Sequence, residues 1–284
     1  MTPEDFDLLA VLLKQRSGLV LTRDKAYLLE SRLLPVARKW NMKSLDELAQ
    51  HIRTKRDETL LREVTEAMTT NESFFFRDQK PFDKFRQLLL PNLLKSRAGR
   101  NTIRIWSAAA SSGQEAYSLA MICAEESAKL NGWKVEILGT DLSSEMVEKA
   151  KSGIYSQFEV QRGLPITLLV KYFQQISNDR WQIREDIRRM VQFRTGNLLN
   201  DFGPIGIFDI IYCRNVLIYF DQPTKGKVLD AMSQVMAPDG VLFLGGAETI
   251  LGLTNRFKAM ENEPGLYVLS DVALSSQTKP KFAV

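Results

Sequence analysis

The sequence predicts an all-α N-terminal domain, then a doubly wound α/β domain bearing a small antiparallel β-subdomain. Up to about residue 70, apolar residues recur at helical spacing, with capping residues between the runs. From about Ile103 the pattern becomes strand, turn, helix, repeated, which implies a parallel sheet covered on both faces.

Each element has a local reason. "TPEDFDLLAVLLKQRSG" opens with Thr2 as a cap, Pro3 at the first helical position and acids in the first turn, and stops at Gly18. "RDKAYLLESRLLPVARKW" sets Leu28, Leu29, Leu33 and Val36 on one face and Lys25, Arg32, Arg38 and Lys39 largely elsewhere. Pro35 inside this run predicts a kink or a break. "SLDELAQHIRTK" and "DETLLREVTEAMTT" are further amphipathic helices, the former opened by a capping box of Ser44 and Glu47. Residues 1–70 are expected to form this domain. Residues 71–100 are expected to be a linker and a helix carrying Phe82, Phe85 and Leu88 to Leu90, ended by Gly99.

In the second half, "TIRIWSA", "KVEILGTD", "MVQFRTGN", "FDIIYCRN", "GVLFLGG" and "GLYVLS" read as strands. "EAYSLAMICAEESAKL", "SSEMVEKAKSG" and "QPTKGKVLDAMSQVMA" read as helices. Between Gly153 and Arg189 the alternation lapses into short runs, and an antiparallel appendage is expected over about 155–190. The α/β domain is expected over 101–270, with a polar, frayed tail over 271–284.

Composition narrows the functions. A chain of 284 residues, 44% hydrophobic and 25% charged, can bury the cores of two domains. No stretch approaches the roughly 18 apolar residues of a membrane span, and the polar, acidic start is unlike a signal peptide. Cys123 and Cys213 lie in apolar runs without partners at metal spacing, which suits a reduced cytoplasm. The single histidine, His51, sits in a polar helical stretch, so imidazole catalysis and a metal site are not expected. The net charge of +4 is too mild to indicate nucleic acid. From Arg77 to Arg104, however, eight basic residues face two acidic ones, which is either a steering patch for an acidic partner or a solvated face.

In doubly wound sheets ligands bind at the carboxyl ends of the strands. After the first strand comes "SAAASSGQEAY", small residues that let a ligand approach the backbone, without the GxGxxG of a dinucleotide cradle. After the second comes Asp141, placed to take ribose hydroxyls or to cap the next helix. Asn197 and Leu198, then Arg214 and Asn215, follow later strands. Glu115, just inside the first helix of this half, would take an ammonium or balance a sulfonium, or simply favour its helix N-terminus. A nucleoside cofactor without a pyrophosphate fits this list, and S-adenosylmethionine is such a molecule.

"TTNESFFFR", "IWSAAASSGQEAYS", "GTDLSSEMVEKAKSGIY" and "FDIIYCRNVLIYF", in this order, resemble the CheR family of chemotaxis receptor methyltransferases. The resemblance runs from about Phe6 to Leu269. It implies a bacterial cytoplasmic enzyme with a Rossmann-like catalytic domain, transferring methyl groups from S-adenosylmethionine to glutamate carboxylates on chemoreceptor helices and releasing S-adenosylhomocysteine. It carries cofactor roles onto Asn71, Ser73, Arg77, Glu115, Asp141, Asn197, Leu198, Arg214 and Asn215. Arg77 would orient the substrate carboxylate, and Tyr219 would hydrogen-bond it, line the methyl pocket or form a wall under the adenine. The basic helix with Lys25, Arg32, Arg38 and Lys39 would dock the acidic receptor bundle.

Some departures qualify these expectations. Ser73 stands where Thr is usual, Gln114 where an acid is common and Ala116 where Pro is common. "GGAETI" replaces a His-Ser-Glu run, keeping Glu248. The turn in "QISNDRWQ" is short and lacks the glycine found where relatives grip a receptor-terminal peptide, so no dependence on such a tether is expected. A monomer without membrane insertion is expected. The competing readings are a non-catalytic S-adenosylmethionine-binding scaffold, a nucleic-acid methyltransferase and a nicotinamide dehydrogenase. The second lacks its Asn/Asp-Pro-Pro-aromatic motif and the third its glycine fingerprint.

Overall fold

The computed structural model describes residues 1–271 and 274, so the expected tail lies almost wholly outside the described residues. The chain divides into two units. One holds Met1–Thr70 with Tyr219–Lys225, the other Asn71–Ile218 and the chain from Gly226 onward.

The first unit is helical. α1 (Pro3–Ser17) is opened by a reciprocal capping box between Thr2 and Asp5 and closed by Gly18 at φ 79°. α2 (Ala26–Lys39) runs on through Pro35 without the break that the proline could have caused. It buries Leu29, Leu33 and Ala37, and each buried leucine contributes about 1.5–3 kcal/mol, enough to offset the ~3 kcal/mol of an interior proline. α3 (Leu45–Thr54) starts where Ser44 Oγ accepts from the Glu47 N–H. The Glu47 carboxylate reaches back to the Lys43 N–H, one residue beyond the cap. α4 (Glu58–Ala67) is capped by Asp57. Leu9, Leu13, Leu29, Leu33, Leu48, Leu60 and Val64 form one apolar core.

The second unit begins with α5 (Lys80–Lys84), which continues through a single π-helical stretch, Phe85–Leu89, into α6 (Leu90–Ser96). Pro91 supplies the reason for the wider turn: its ring would strike the carbonyl four residues back in an α-helix. The strands are β1 (Thr102–Ala108), β2 (Lys134–Asp141), β3 (Ile154–Ser156), β4 (Phe173–Ser177), β5 (Arg180–Ile183), β6 (Val191–Thr195), β7 (Phe208–Cys213), β8 (Met236–Leu244), β9 (Phe257–Ala259) and β10 (Leu266–Leu269). The helices among them are α7 (Gln114–Glu125), α8 (Ser144–Ser152), α9 (Gln157–Gln161), α10 (Ile166–Tyr172), α11 (Glu185–Arg188) and α12 (Gln222–Gln234).

The main sheet has the order β6-β2-β1-β7-β8-β10-β9. Its first five strands are parallel, while β10 and β9 add antiparallel at the edge. β9 is a three-residue strand that no sequence pattern anticipated. From β1 the chain crosses to β2 on one side and later returns to β7 on the other. That is a topological switch point, and it opens a crevice beyond the carboxyl ends of β1 and β7. β3, β5 and β4 form the expected antiparallel appendage, with a two-residue turn at Asn178 and Asp179.

Candidate active site at the strand ends

The turn after β1 is built to come close to a ligand. Ala109, Ser111 and Gly113 take φ of 59°, 51° and 93°, so left-handed residues alternate along it. Only Gly113 lacks a side chain, and it must: a Cβ there would lie 2.9 Å from both Ala150 and the Phe193 ring. The turn is held from several sides. Ala110 N–H donates to the Thr140 carbonyl at 2.9 Å, and Ser111 N–H to Asp141 Oδ2 at 2.7 Å. Ser111 Oγ donates to the Asn71 carbonyl at 2.8 Å, and the buried Tyr155 hydroxyl to the Ser112 carbonyl at 2.6 Å. Burial pushes the Tyr155 hydroxyl well above its ordinary range, so it remains a protonated donor.

Asp141, at the end of β2, also accepts from the Ser143 N–H at 2.9 Å. Both of its oxygens thus brace the backbone. Glu115 is committed in the same manner: Oε1 accepts from Ser107 Oγ at 2.8 Å, and Oε2 from Arg214 Nη1 at 2.8 Å. Arg214, immediately after β7, is buried and donates from Nη2 to the Arg77 carbonyl at 2.9 Å and to Asp78 Oδ2 at 2.7 Å. Its guanidinium lies 5.8 Å from the centroid of the Phe82 ring. Its Nε is buried without a hydrogen-bond partner. The structure therefore ties the end of β7, the start of α7 and the segment after Asn71 into one ionic knot, with Asp78 and Ser107 as members the sequence did not single out.

The three phenylalanines diverge. Phe75 is fully buried, edge-on to Tyr155 and Phe173 at 5.1 and 5.6 Å. Phe76, at φ 52°, packs on Phe82 at 5.3 Å, and Phe74 stays half-buried with two guanidinium groups over its ring. Both buried rings belong to the core of the α/β unit itself. Asn71 and Ser73 make no side-chain hydrogen bond among the described residues, nor does the Asn215 amide, whose residue sits at φ 58°. Asn197 follows β6 with its Oδ1 accepting from the Leu199 N–H at 3.0 Å, and Leu198 is buried.

Glu248 fills the role that the departure at "GGAETI" left open. Its two oxygens accept from the N–H groups of Asn215, Val216, Ile218 and Gly245, at 2.8, 3.0, 3.3 and 2.7 Å. It therefore shapes the loop after β7. Tyr219 ends a single helical turn after that loop and is grouped with the helical unit, where its carbonyl accepts from the Val20 N–H at 2.9 Å. Cys213, beside Arg214, is no nucleophile: burial raises its thiol well above the ordinary range, and Cys123 is pushed up to about 12 for the same reason. Among the described residues no group of side chains could hold a metal ion.

This donor set fits an S-adenosylmethionine-shaped molecule. Unpartnered amide and hydroxyl groups stand beside two carboxylates, at a turn whose backbone can be approached closely. A cavity of about 410 Å³ lies elsewhere, on the face of β1, β2 and β6, and its Arg104 and Lys134 are already paired with Glu136.

Comparison with known proteins agrees with this geometry. The family model for the S-adenosylmethionine-binding domain of the CheR methyltransferases matches residues 71–266, and that for their all-alpha domain matches residues 4–69. The chain belongs to the CheR methyltransferase family. Chemotaxis protein methyltransferase 1 of Pseudomonas aeruginosa is 42% identical over 266 residues, covering 92% of this chain and 96% of that protein. The chemotaxis protein methyltransferase of Vibrio anguillarum is 40% identical over 256 residues, covering 89% and 92%. As a CheR methyltransferase, the chain is an S-adenosylmethionine-dependent enzyme. Among the described residues no helix is long and apolar enough to cross a membrane.

Proposed function

We propose that this CheR methyltransferase esterifies glutamate side chains on the cytoplasmic helices of chemoreceptors. The observation that carries the reading is the match of both domains to a family whose similar relatives are named chemotaxis protein methyltransferases over nearly their whole length. The chemistry supports it. S-adenosylmethionine, when bound, supplies a sulfonium-activated methyl group. A glutamate carboxylate has an ordinary pKa of about 4.3, so at neutral pH it attacks without a general base. A new O–C bond forms as the S–C bond breaks, and no proton moves. The chain need only align the partners and limit water, which suits a site with no free imidazole or thiolate.

In this reading Asn71, Ser73, Arg77, Glu115, Asp141, Asn197, Leu198, Arg214 and Asn215 hold the cofactor. Arg77 meets the incoming carboxylate and Tyr219 the methyl acceptor. Residues 1–70 form the receptor-docking domain, residues 71–100 contribute to the cofactor site, and 101–270 hold the catalytic domain with its β-subdomain. The tight Asn178-Asp179 turn supports an enzyme that does not depend on a receptor tether.

Docking charge falls on fewer residues than composition suggests. Arg32 donates to the Met68 and Thr69 carbonyls at 2.8 and 3.0 Å and to Thr70 Oγ1, and Lys39 pairs with Glu63. Lys25 and Arg38 are exposed and carry the proposed attraction.

The deciding experiment is labelled methyl transfer to receptor-containing membranes, with base-labile release of methanol as the ester's signature. Label that survives base would sink the glutamate reading. Arg77→Ala is expected to cut the rate about a hundredfold at an unchanged melting temperature, and full activity would remove Arg77 from the mechanism. Reversing Lys25 and Arg38 to Glu is expected to raise the receptor KM about tenfold at low salt and to flatten its salt dependence. An unchanged salt profile would place docking elsewhere.

A further inference from the structure

Phe74 stands out among its neighbours because two guanidinium groups lie over its ring. The Arg77 guanidinium carbon lies 5.3 Å from the ring centroid and that of Arg162 lies 4.4 Å away. Arg162 also forms an ion pair with Glu72, and the Glu72 carbonyl accepts from Arg77 Nη1 at 3.0 Å. Both residues that the Arg77 side chain touches here are therefore also contacted by Arg162, Phe74 at its ring and Glu72 at its carboxylate.

Gly163 completes the grip. It takes φ +84°, and a Cβ there would lie 2.1 Å from the Phe75 carbonyl oxygen and 3.2 Å from the Phe74 ring. Backbone meets backbone here, so only glycine allows the approach. On its other side the segment is anchored by Phe75 against Tyr155 and Phe173. Arg162 and Gly163 directly follow α9, within the β3–β5 appendage. An arginine side chain has several rotamers to lose, and confinement before substrate arrives lowers the ordering cost of each turnover.

We propose that Arg162, seated by Gly163, is a positioning residue for methyl transfer: it fixes the platform of Glu72 and Phe74 on which Arg77 lies. This rests on the reading that Arg77 meets the methyl acceptor. The appendage thereby gains a role inside the catalytic domain, independent of any receptor peptide.

The test is a double-mutant cycle with the full-length enzyme and receptor membranes. Arg162→Gln is expected to lower kcat about five- to tenfold, with S-adenosylhomocysteine affinity by calorimetry within about twofold of the parent. Arg162→Lys, which keeps the charge, is expected to recover about half of that loss on a logarithmic scale. In an Arg77→Lys background, Arg162→Gln is expected to change kcat less than about twofold, because its effect passes through the Arg77 guanidinium. Equal losses in both backgrounds, or no loss in the parent, would overturn the proposal. The underlying reading fails separately: Arg77→Ala would then keep full kcat. Melting temperatures of every variant identify a loss that comes from unfolding.

Discussion

A single strand, β7, carries a buried arginine–carboxylate cluster at each end, and the two are built on opposite terms. At its start Asp209 is almost completely buried and receives Arg97 Nε at 2.8 Å, the Arg104 N–H at 2.8 Å and the Arg100 guanidinium. The remaining nitrogens of Arg97 go to Asp239 and Ser96. Every nitrogen of that guanidinium has a partner. At the far end Arg214 keeps a buried Nε without one, and the segments around it bend into left-handed backbone at Phe76, Asp78, Gln79, Ala109, Ser111 and Asn215. Of the nine non-glycine residues with positive φ among the described residues, those six lie here. Apart from Asn215 and Asp78, whose residue types tolerate the conformation, each costs on the order of 1 kcal/mol or more. One end closes the sheet, and the other holds polar groups ready for a ligand at the expense of strain.

The largest expected effect breaks the closed end. Asp209→Ala would leave the buried Arg97 Nε and the Arg104 N–H without their acceptor, at a cost of about 3 kcal/mol in urea unfolding. At a temperature where the variant stays folded, S-adenosylhomocysteine binding is expected to be unchanged. A stability loss below about 1 kcal/mol would show that the two ends do not differ as described.

The next effect tests the open end. Arg214→Gln is expected to raise the Kd for S-adenosylhomocysteine about a hundredfold, near 2.7 kcal/mol, because Glu115 and the carbonyl of Arg77 lose their shared donor. Its stability cost is expected to be smaller than that of Asp209→Ala, since Asp78 is half-exposed and keeps water. Calorimetry showing unchanged affinity would contradict the assignment.

The same contrast explains what could be read in advance. Strand-end position alone pointed to Asp141, Glu115 and Arg214, because a parallel sheet with a switch point places its ligand by topology. Their partners were hidden: Asp78 is an exposed-looking acid beside a basic run, and Glu248 lies more than thirty residues from the loop whose N–H groups it collects. Arg32 looked like a docking charge because a sequence displays cations but not the carbonyls of Met68 and Thr69 that await one. Pro35 predicted an interruption that burial of Leu29 and Leu33 outweighs, and β9 is too short to leave a periodic trace. The second cation over Phe74 needed Arg162, brought in from an appendage far along the chain.

The smallest effect shows what exposure takes away from an ion pair within the closed end itself. Asp239 shares Arg97 with Asp209, yet its side chain is 54% exposed whereas that of Asp209 is fully buried. The hydrogen bond from Arg97 holds the Asp239 carboxyl below its ordinary value, against a burial effect of opposite sign. A carboxyl lowered on folding stabilises the protein above its unfolded pKa, about 3.9, and that contribution disappears as pH falls through the folded value. Asp239→Asn is therefore expected to cost no more than about 1 kcal/mol at pH 7, after solvent screening of so exposed a pair. The difference between parent and variant should shrink as pH falls below about 4, where the unfolded chain takes up the proton before the folded one does. Urea unfolding of both proteins from pH 7 to pH 3 measures this directly. A gap that widens on acidification would mean that Asp239 acts through something other than its charge on Arg97.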